Sequence, residues 1–350
     1  MPQAAVRPPL GQDVRMTVTG LSGGDPVAIA RRAVLDLVER ELAVAAPEVE
    51  ARLCEHQQPG LPRRLDPVDV RQALSDLVAS GQVRTDLGRP AAGRRAVPIF
   101  TSSRPADPER TASVTEHKRD LLARYLSWVD GPDSPLQSAA DHVVHASLQV
   151  AARSGYRVAP APPIDVVMLA PTAPGHLPGE QVLMPLDVRH TRAWLVPETR
   201  ALYPLLVKAV RIHLAEPDAP VVPMFVCRRA HPRLLAMGHD LGFLVVETRR
   251  EFISPTVAET AVSDVRVRLG LTDLTRDDGP DRLLVSRLEQ IVPGLALPLV
   301  ARWRRTAGTT MTLRFAALAE EADLSVRRRL VREVHAIATT AELTGARRQW

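Results

Sequence analysis

Ile164-Asp165-Val166-Val167-Met168-Leu169 and Gln181-Val182-Leu183-Met184-Pro185-Leu186-Asp187-Val188-Arg189 are two apolar, partly β-branched runs, and each carries one aspartate. Pro and Gly residues at 171–179 separate them. Short runs of this kind, bounded by turn residues, predict strands. Asp187 lies 22 positions after Asp165 (187 minus 165), room for one strand, a turn and the returning strand. The two carboxylates can therefore meet at one end of a sheet. Arg189 follows two positions later, and since side chains on a strand repeat with period two it shares the face of Asp187.

The flanking sequence alternates between helical and extended patterns. Helical spacing covers 116–129 and 137–153, the latter stopped by Gly155. After the acidic strands, residues 198–214 place Leu202, Leu205, Leu206, Ala209, Val210 and Ile212 on one helix face. Residues 221–227 form a continuous apolar strand, 231–241 a short helix closed by Gly242, and 243–246 a last strand. Strands alternating with helices predict an α/β class, with a central mixed sheet flanked by helices. Residues 255–350 read as a helical C-terminal region, in which Arg327-Arg328-Arg329-Leu330-Val331-Arg332-Glu333 forms a solvated basic face.

Upstream, residues 1–24 mix Pro, Gly and polar residues without period and read as a flexible lead. Asp25-Pro26 and Asp66-Pro67 each look like an N-cap followed by a first-turn proline. The first opens a helix with Val27, Ala30, Val34, Leu37, Val38 and Leu42 on one side; another helix is expected over 47–56. The second cap opens a third helix, with Val70, Leu74, Leu77 and Val78 apolar and Gly81 as its stop. Two strands around an arginine-rich tip at 87–95 complete the segment. Three helices and a hairpin over 25–103 resemble a winged-helix domain. In DNA-binding members the third helix enters the major groove and the wing meets backbone or minor groove. That resemblance would make Arg71 and Gln72 of the third helix, and Arg84, Arg89, Arg94 and Arg95 of the wing, the DNA-binding residues. Asp69 and Asp76 oppose Arg71, so a protein-docking role stays open beside the DNA-binding one. Residues 104–115, rich in Pro, Ser, Thr and charge, read as a linker.

Composition narrows the function classes. A formal charge of +5 and a pI near 9.8 permit a polyanionic partner. Aromatic residues are 3% of the chain, too few for platforms that stack unpaired bases, so double-stranded DNA is the expected nucleic-acid partner. Lys118 and Lys208 are the only lysines in an arginine-dominated chain. Cys54 and Cys227 alone make neither a disulfide framework nor a zinc cluster and read as buried apolar residues. No run is long and apolar enough for a membrane span, and no secretory signal is visible, which places the expectation in the cytoplasm with no membrane partner. HExxH, GxxxxGK[ST] and CxxC are all absent from the sequence, removing the zinc peptidases and P-loop NTPases that carry the first two.

The order helix, three strands, helix, strand, with Asp165 and then Asp187-Val188-Arg189, resembles the core of the PD-(D/E)xK nuclease superfamily, the restriction-endonuclease-like fold. Trp194, Lys208, Val226-Cys-Arg-Arg-Ala-His231 and Leu241-Gly-Phe243 add to the likeness. The match covers 137–252 within an expected domain 116–254. It implies DNA phosphodiester hydrolysis, in DNA defence or repair, with Asp165, Asp187 and the Val188 carbonyl holding Mg²⁺ or Mn²⁺. Hard divalent cations of this kind prefer such oxygen ligands. Arg189 stands where the family places a lysine. Lysine can lose a proton when desolvated, whereas arginine only stabilises charge; Lys208 on the following helix is the alternative cation. Two other readings remain: the aspartates as ion-pair partners of nearby arginines, and the fold as a catalytically inactive regulator that binds DNA or protein. A homodimer or a protein partner is compatible with either. His142, His145, His190 and His231 read as structural or surface residues rather than ligands.

Overall fold

A computed structural model describes residues 25–56, 64–87, 96–129, 135–152, 157–161, 164–171, 181–189, 191–277 and 279–346; within 152–181, 290–296 and 339–346 it describes backbone alone. The lead 1–24, His190, and Arg89, Arg94 and Arg95 of the wing tip lie outside the described residues.

Helix α1 (Pro26–Glu41) starts where expected, its Val27 amide donating to the Asp25 side chain, and buries Ala30, Ala33, Val34, Leu37 and Val38. Leu42, at φ 66°, turns the chain into strand β1 (Ala43–Ala45). Helix α2 (Ala46–Glu50) runs on into one π-helical turn, Ala51–Glu55. Helix α3 (Pro67–Ala79) is capped by Asp66, which accepts from the Val68 amide. Strands β2 (Val83–Leu87) and β3 (Pro98–Ser102) follow, and the antiparallel sheet has the order β1-β3-β2. Val34, Leu37, Val49, Leu53, Val70, Leu77 and Phe100 close its core.

Helix α4 (Pro108–Val129) occupies much of the stretch expected to be a linker. The Arg110 amide donates to the Asp107 carboxylate, and the Thr111 and Thr115 hydroxyls donate one turn back along the chain. Proline in the first turn and back-bonding threonines begin a helix well before the apolar pattern does. Then come α5 (Pro135–Ala152), β4 (Arg157–Ala161), β5 (Ile164–Pro171) and β6 (Gln181–Arg189). A 3₁₀ turn (Arg200–Leu202) leads into α6 (Tyr203–Ala215), followed by β7 (Met224–Cys227), α7 (Pro232–Leu241) and β8 (Leu244–Glu247). The five-stranded sheet has the order β4-β5-β6-β7-β8: β4, β5 and β6 are antiparallel neighbours, while β6, β7 and β8 are parallel.

The period of two on the central strands decides which helix covers which face. Val182, Met184, Leu186, Met224, Val226, Leu244 and Val246 pack against α5 and the Leu284, Leu288, Leu299 and Val300 side chains of α9 (Arg282–Thr306). Leu183, Phe225, Cys227 and Val245 face the other way, onto α6 and α7.

The C-terminal third is not an appendage. Strand β9 (Glu251–Ile253) pairs in parallel with β10 (Leu274–Arg276) around α8 (Glu259–Arg268). Ile253, Val262, Val265 and Leu274 share a core with Leu121, Tyr125 and Trp128 of α4 and with Ala43, Ala45 and Ile99 of the N-terminal sheet. Trp303, Phe315 of α10 (Thr309–Glu320), and Leu330 and Val334 of α11 (Leu324–Ala346) complete the layer over α6 and α7. Gly242 closes α7 at φ 88°, where a Cβ would lie 2.3 Å from the Trp303 nitrogen. No helix among the described residues is long and apolar enough to cross a membrane.

Candidate functional site

Strands β5 and β6 set the geometry of the acidic pair. Val167 is level with Pro185, and Val166 with Leu186. Positions 165 and 187 each lie one residue beyond that last pair, on neighbouring antiparallel strands. Asp187 is in turn level with Phe225, and Arg189 with Cys227, at the carboxyl end of the parallel strands. Crevices beyond the carboxyl ends of parallel strands are where open α/β sheets hold ligands.

The period-two expectation for Arg189 holds. Its Nε donates to Asp187 Oδ2 at 2.8 Å, and Nη2 donates to the same oxygen. Both side chains remain partly exposed, Asp187 at 21% and Arg189 at 32%. The pair is therefore reachable by solvent, and Arg189 gathers on one carboxylate oxygen. Lys208 lies on α6, the helix covering the Asp187 face, half-buried and without a hydrogen bond or ion pair among the described residues. The Val188 side chain packs towards the opposite face. Arg189 orients the Asp187 carboxylate; among the described side chains no group of three or more His, Cys, Asp or Glu is placed to hold a metal ion.

Just past the strand ends lies a charge cluster with no local signature in the sequence. Arg228, the residue after β7, donates from Nη2 to Glu55 at 2.7 Å and from Nη1 to Asp273 at 2.6 Å. Arg192 Nη1 donates to Glu251 at 2.7 Å and to Asp273 at 2.6 Å, and the Tyr125 hydroxyl donates to Glu251 at 2.6 Å. Burial by itself would raise the Asp273 and Glu55 carboxyls, but the neighbouring arginines, Arg192 and Arg228 for Asp273 and chiefly Arg228 for Glu55, hold both below the usual carboxylate range. Burial also lifts the Cys227 thiol to about 12, so it is no nucleophile at neutral pH. Since Glu55 is separated from Arg228 by 173 positions, no spacing rule could have found this cluster.

A second link joins two helix starts. The Arg233 amide donates to His231 Nδ1 at 3.1 Å, so Nε2 carries the ring proton and donates to Asp66 Oδ2 at 2.8 Å. The N-cap of α3 is thereby tied to the N-cap of α7. Both links dock the N-terminal unit against the carboxyl end of the large sheet.

The residues expected to meet DNA are spread apart. Arg71 is exposed, yet its Nε donates to the Pro67 carbonyl and lies 3.4 Å from Glu50. Gln72 donates to Asp76 at 2.8 Å, and Asp76 also pairs with Arg31. Both Arg71 and Gln72 line a cleft whose far wall is α7 and α11 of the same chain. Arg84 stands exposed on β2, beside a shallow hollow that it shares with Arg104, Thr85 and Ser103. Of the expected wing cations it is the one within the described residues.

Compared with protein-family models, curated proteins and solved structures, the chain matches none.

Proposed function

We propose that this protein binds double-stranded DNA and hydrolyses its phosphodiester bonds at Asp165 and Asp187. The observation that carries this reading is that positions 165 and 187 lie one residue beyond the Val166–Leu186 pair on neighbouring strands, with Asp187 at the carboxyl end of β6. Two further features support it. Helix α5, the antiparallel β4-β5-β6, helix α6 and the parallel β7 follow the order of a restriction-endonuclease-like core. The order α1-β1-α2-α3-β2-β3 and the sheet β1-β3-β2 support reading the N-terminal unit as a winged helix.

Asp165, Asp187 and the Val188 carbonyl would hold Mg²⁺ or Mn²⁺, which supplies Lewis acidity towards a phosphoryl oxygen. Arg189 keeps the Asp187 carboxylate in one orientation and adds positive charge where the phosphate would lie. Guanidinium does not deprotonate in a protein, so Arg189 contributes charge stabilisation and no base. Arg84 on the wing strand supplies a phosphate contact remote from the acids.

Supercoiled plasmid incubated with purified protein and Mg²⁺ or Mn²⁺ tests the reading. Nicking that disappears with Asp187→Ala is expected; nicking that survives that substitution belongs to a contaminant. The ion pair between Arg189 and Asp187 favours a second reading, a non-hydrolytic regulator on the same fold. Inertness towards supercoiled, linear and branched DNA, together with retained duplex binding, would select it.

A further inference from the structure

The cleft bounded by α3, α7 and α11 has a volume of about 610 Å³ and holds Arg71, Arg233, Arg328 and Arg332. A second cavity of about 390 Å³ adjoins it, with Arg233 and Arg332 lining both. The second cavity is lined mainly by apolar groups: Pro197, Ala236, Met237, Val331 and Ala336. One groove thus has a cationic half and an apolar half.

The charges are unequally matched. Arg233 donates to Glu198 at 3.1 Å, and Arg71 faces Glu50. Arg328 and Arg332 stand exposed one turn apart on α11, and neither has a carboxylate partner among the described residues. The neighbouring acid, Glu333, is engaged by Arg314 at 3.1 Å and Arg329 at 3.9 Å. Residues four apart on a helix present their side chains side by side, so Arg328 and Arg332 offer two guanidiniums to two carboxylates. Leu324, an exposed apolar side chain, lines the cationic cleft as well.

From this geometry we infer that the groove is a docking site for a segment of a partner protein that carries acidic side chains beside a large apolar one. The inference stands apart from the hydrolytic reading, since no residue of the acidic pair lines the groove. A phosphodiester backbone fits worse. It has no apolar group for the Met237 and Val331 floor. Burying an apolar anchor in a pocket while charged pairs set the register is how short segments obtain affinity and direction together.

A random decapeptide display library panned against the full chain tests this. Enriched sequences should carry Asp or Glu beside Leu, Ile, Met or Phe, and a synthetic peptide of that pattern should bind at least tenfold more weakly to Arg328→Ala/Arg332→Ala. Ala336→Trp, an exposed position at the apolar end, should weaken binding similarly by filling the pocket. Unchanged thermal unfolding of both variants keeps the comparison free of folding defects. No enrichment, or enrichment of the same peptides by the double variant, overturns the proposal. So does loss of affinity for a 20-base-pair duplex in the double variant without any peptide preference, which would make the groove a nucleic-acid surface.

Discussion

Glu48 has no exposed surface, and its charge is met from two directions. Lys118 Nζ donates to both carboxylate oxygens at 2.7 Å, and Arg52 approaches one of them to 2.9 Å. Lys118 gives a third bond to the Arg268 carbonyl at 3.0 Å, joining α2, α4 and α8 at one point. Removing one partner of a buried pair leaves the other charge uncompensated. Lys118→Met should therefore lower the unfolding free energy by on the order of 3 kcal/mol in urea titration. Combining it with Glu48→Gln should recover most of that loss; if the single variant loses under about 1 kcal/mol, Arg52 alone is sufficient. Lysine's rarity in the sequence singled out Lys208 and gave Lys118 no role. Only the fold supplies one, because Glu48 is 70 positions from Lys118. The Arg189 pairing with Asp187 was legible, since an i+2 spacing on a strand needs no tertiary information.

Asp66 works at the level of elements, since one side chain caps α3 and accepts from His231, the cap of α7. Burial would raise its carboxyl, but the bonds from His231 and the Val68 amide hold it below the usual aspartate range. Asp66→Ala is expected to cost about 1–2 kcal/mol, measured by chemical denaturation, and Asp66→Asn distinctly less because the amide oxygen still caps; equal losses would show that the cap is irrelevant. Gly242→Ala should be at least as damaging as the cap deletion. It forces an alanine to positive φ and sets its Cβ against the α9 backbone. The sequence disclosed both Asp-Pro starts and the glycine stop, because capping chemistry is local. It hid β1, whose three residues are all buried and show no alternation. The first turn of α4 was also concealed, by its Pro, Ser and Thr composition.

Across the whole molecule, ion pairs at the ends of β6 and β7 gather distant segments: Glu55 of the N-terminal unit pairs with Arg228, and Asp273, just before β10, pairs with Arg192 and Arg228. Glu55 and Asp273 titrate below their unfolded values, so they stabilise the folded chain above about pH 4 and lose that contribution as pH falls through their folded values. Glu50, raised by burial, acts in the opposite sense. Three lowered carboxyls, Asp66 included, against one raised predict that acidification below about pH 4 loosens this junction first, seen as early hydrogen exchange in α2 and β10; simultaneous exchange of α6 and β7 would contradict it. The α/β class and the succession of helices and strands were readable because each rests on period and turn residues. The junction was not, since its members come from distant parts of the chain and meet only after folding. The central claim concerns Asp165 and Asp187, and electron paramagnetic resonance of titrated Mn²⁺ reads it without reference to turnover. The account predicts one bound ion per chain in the native protein and none in Asp165→Ala or Asp187→Ala. Binding untouched by either substitution, or no binding at millimolar Mn²⁺, would contradict it.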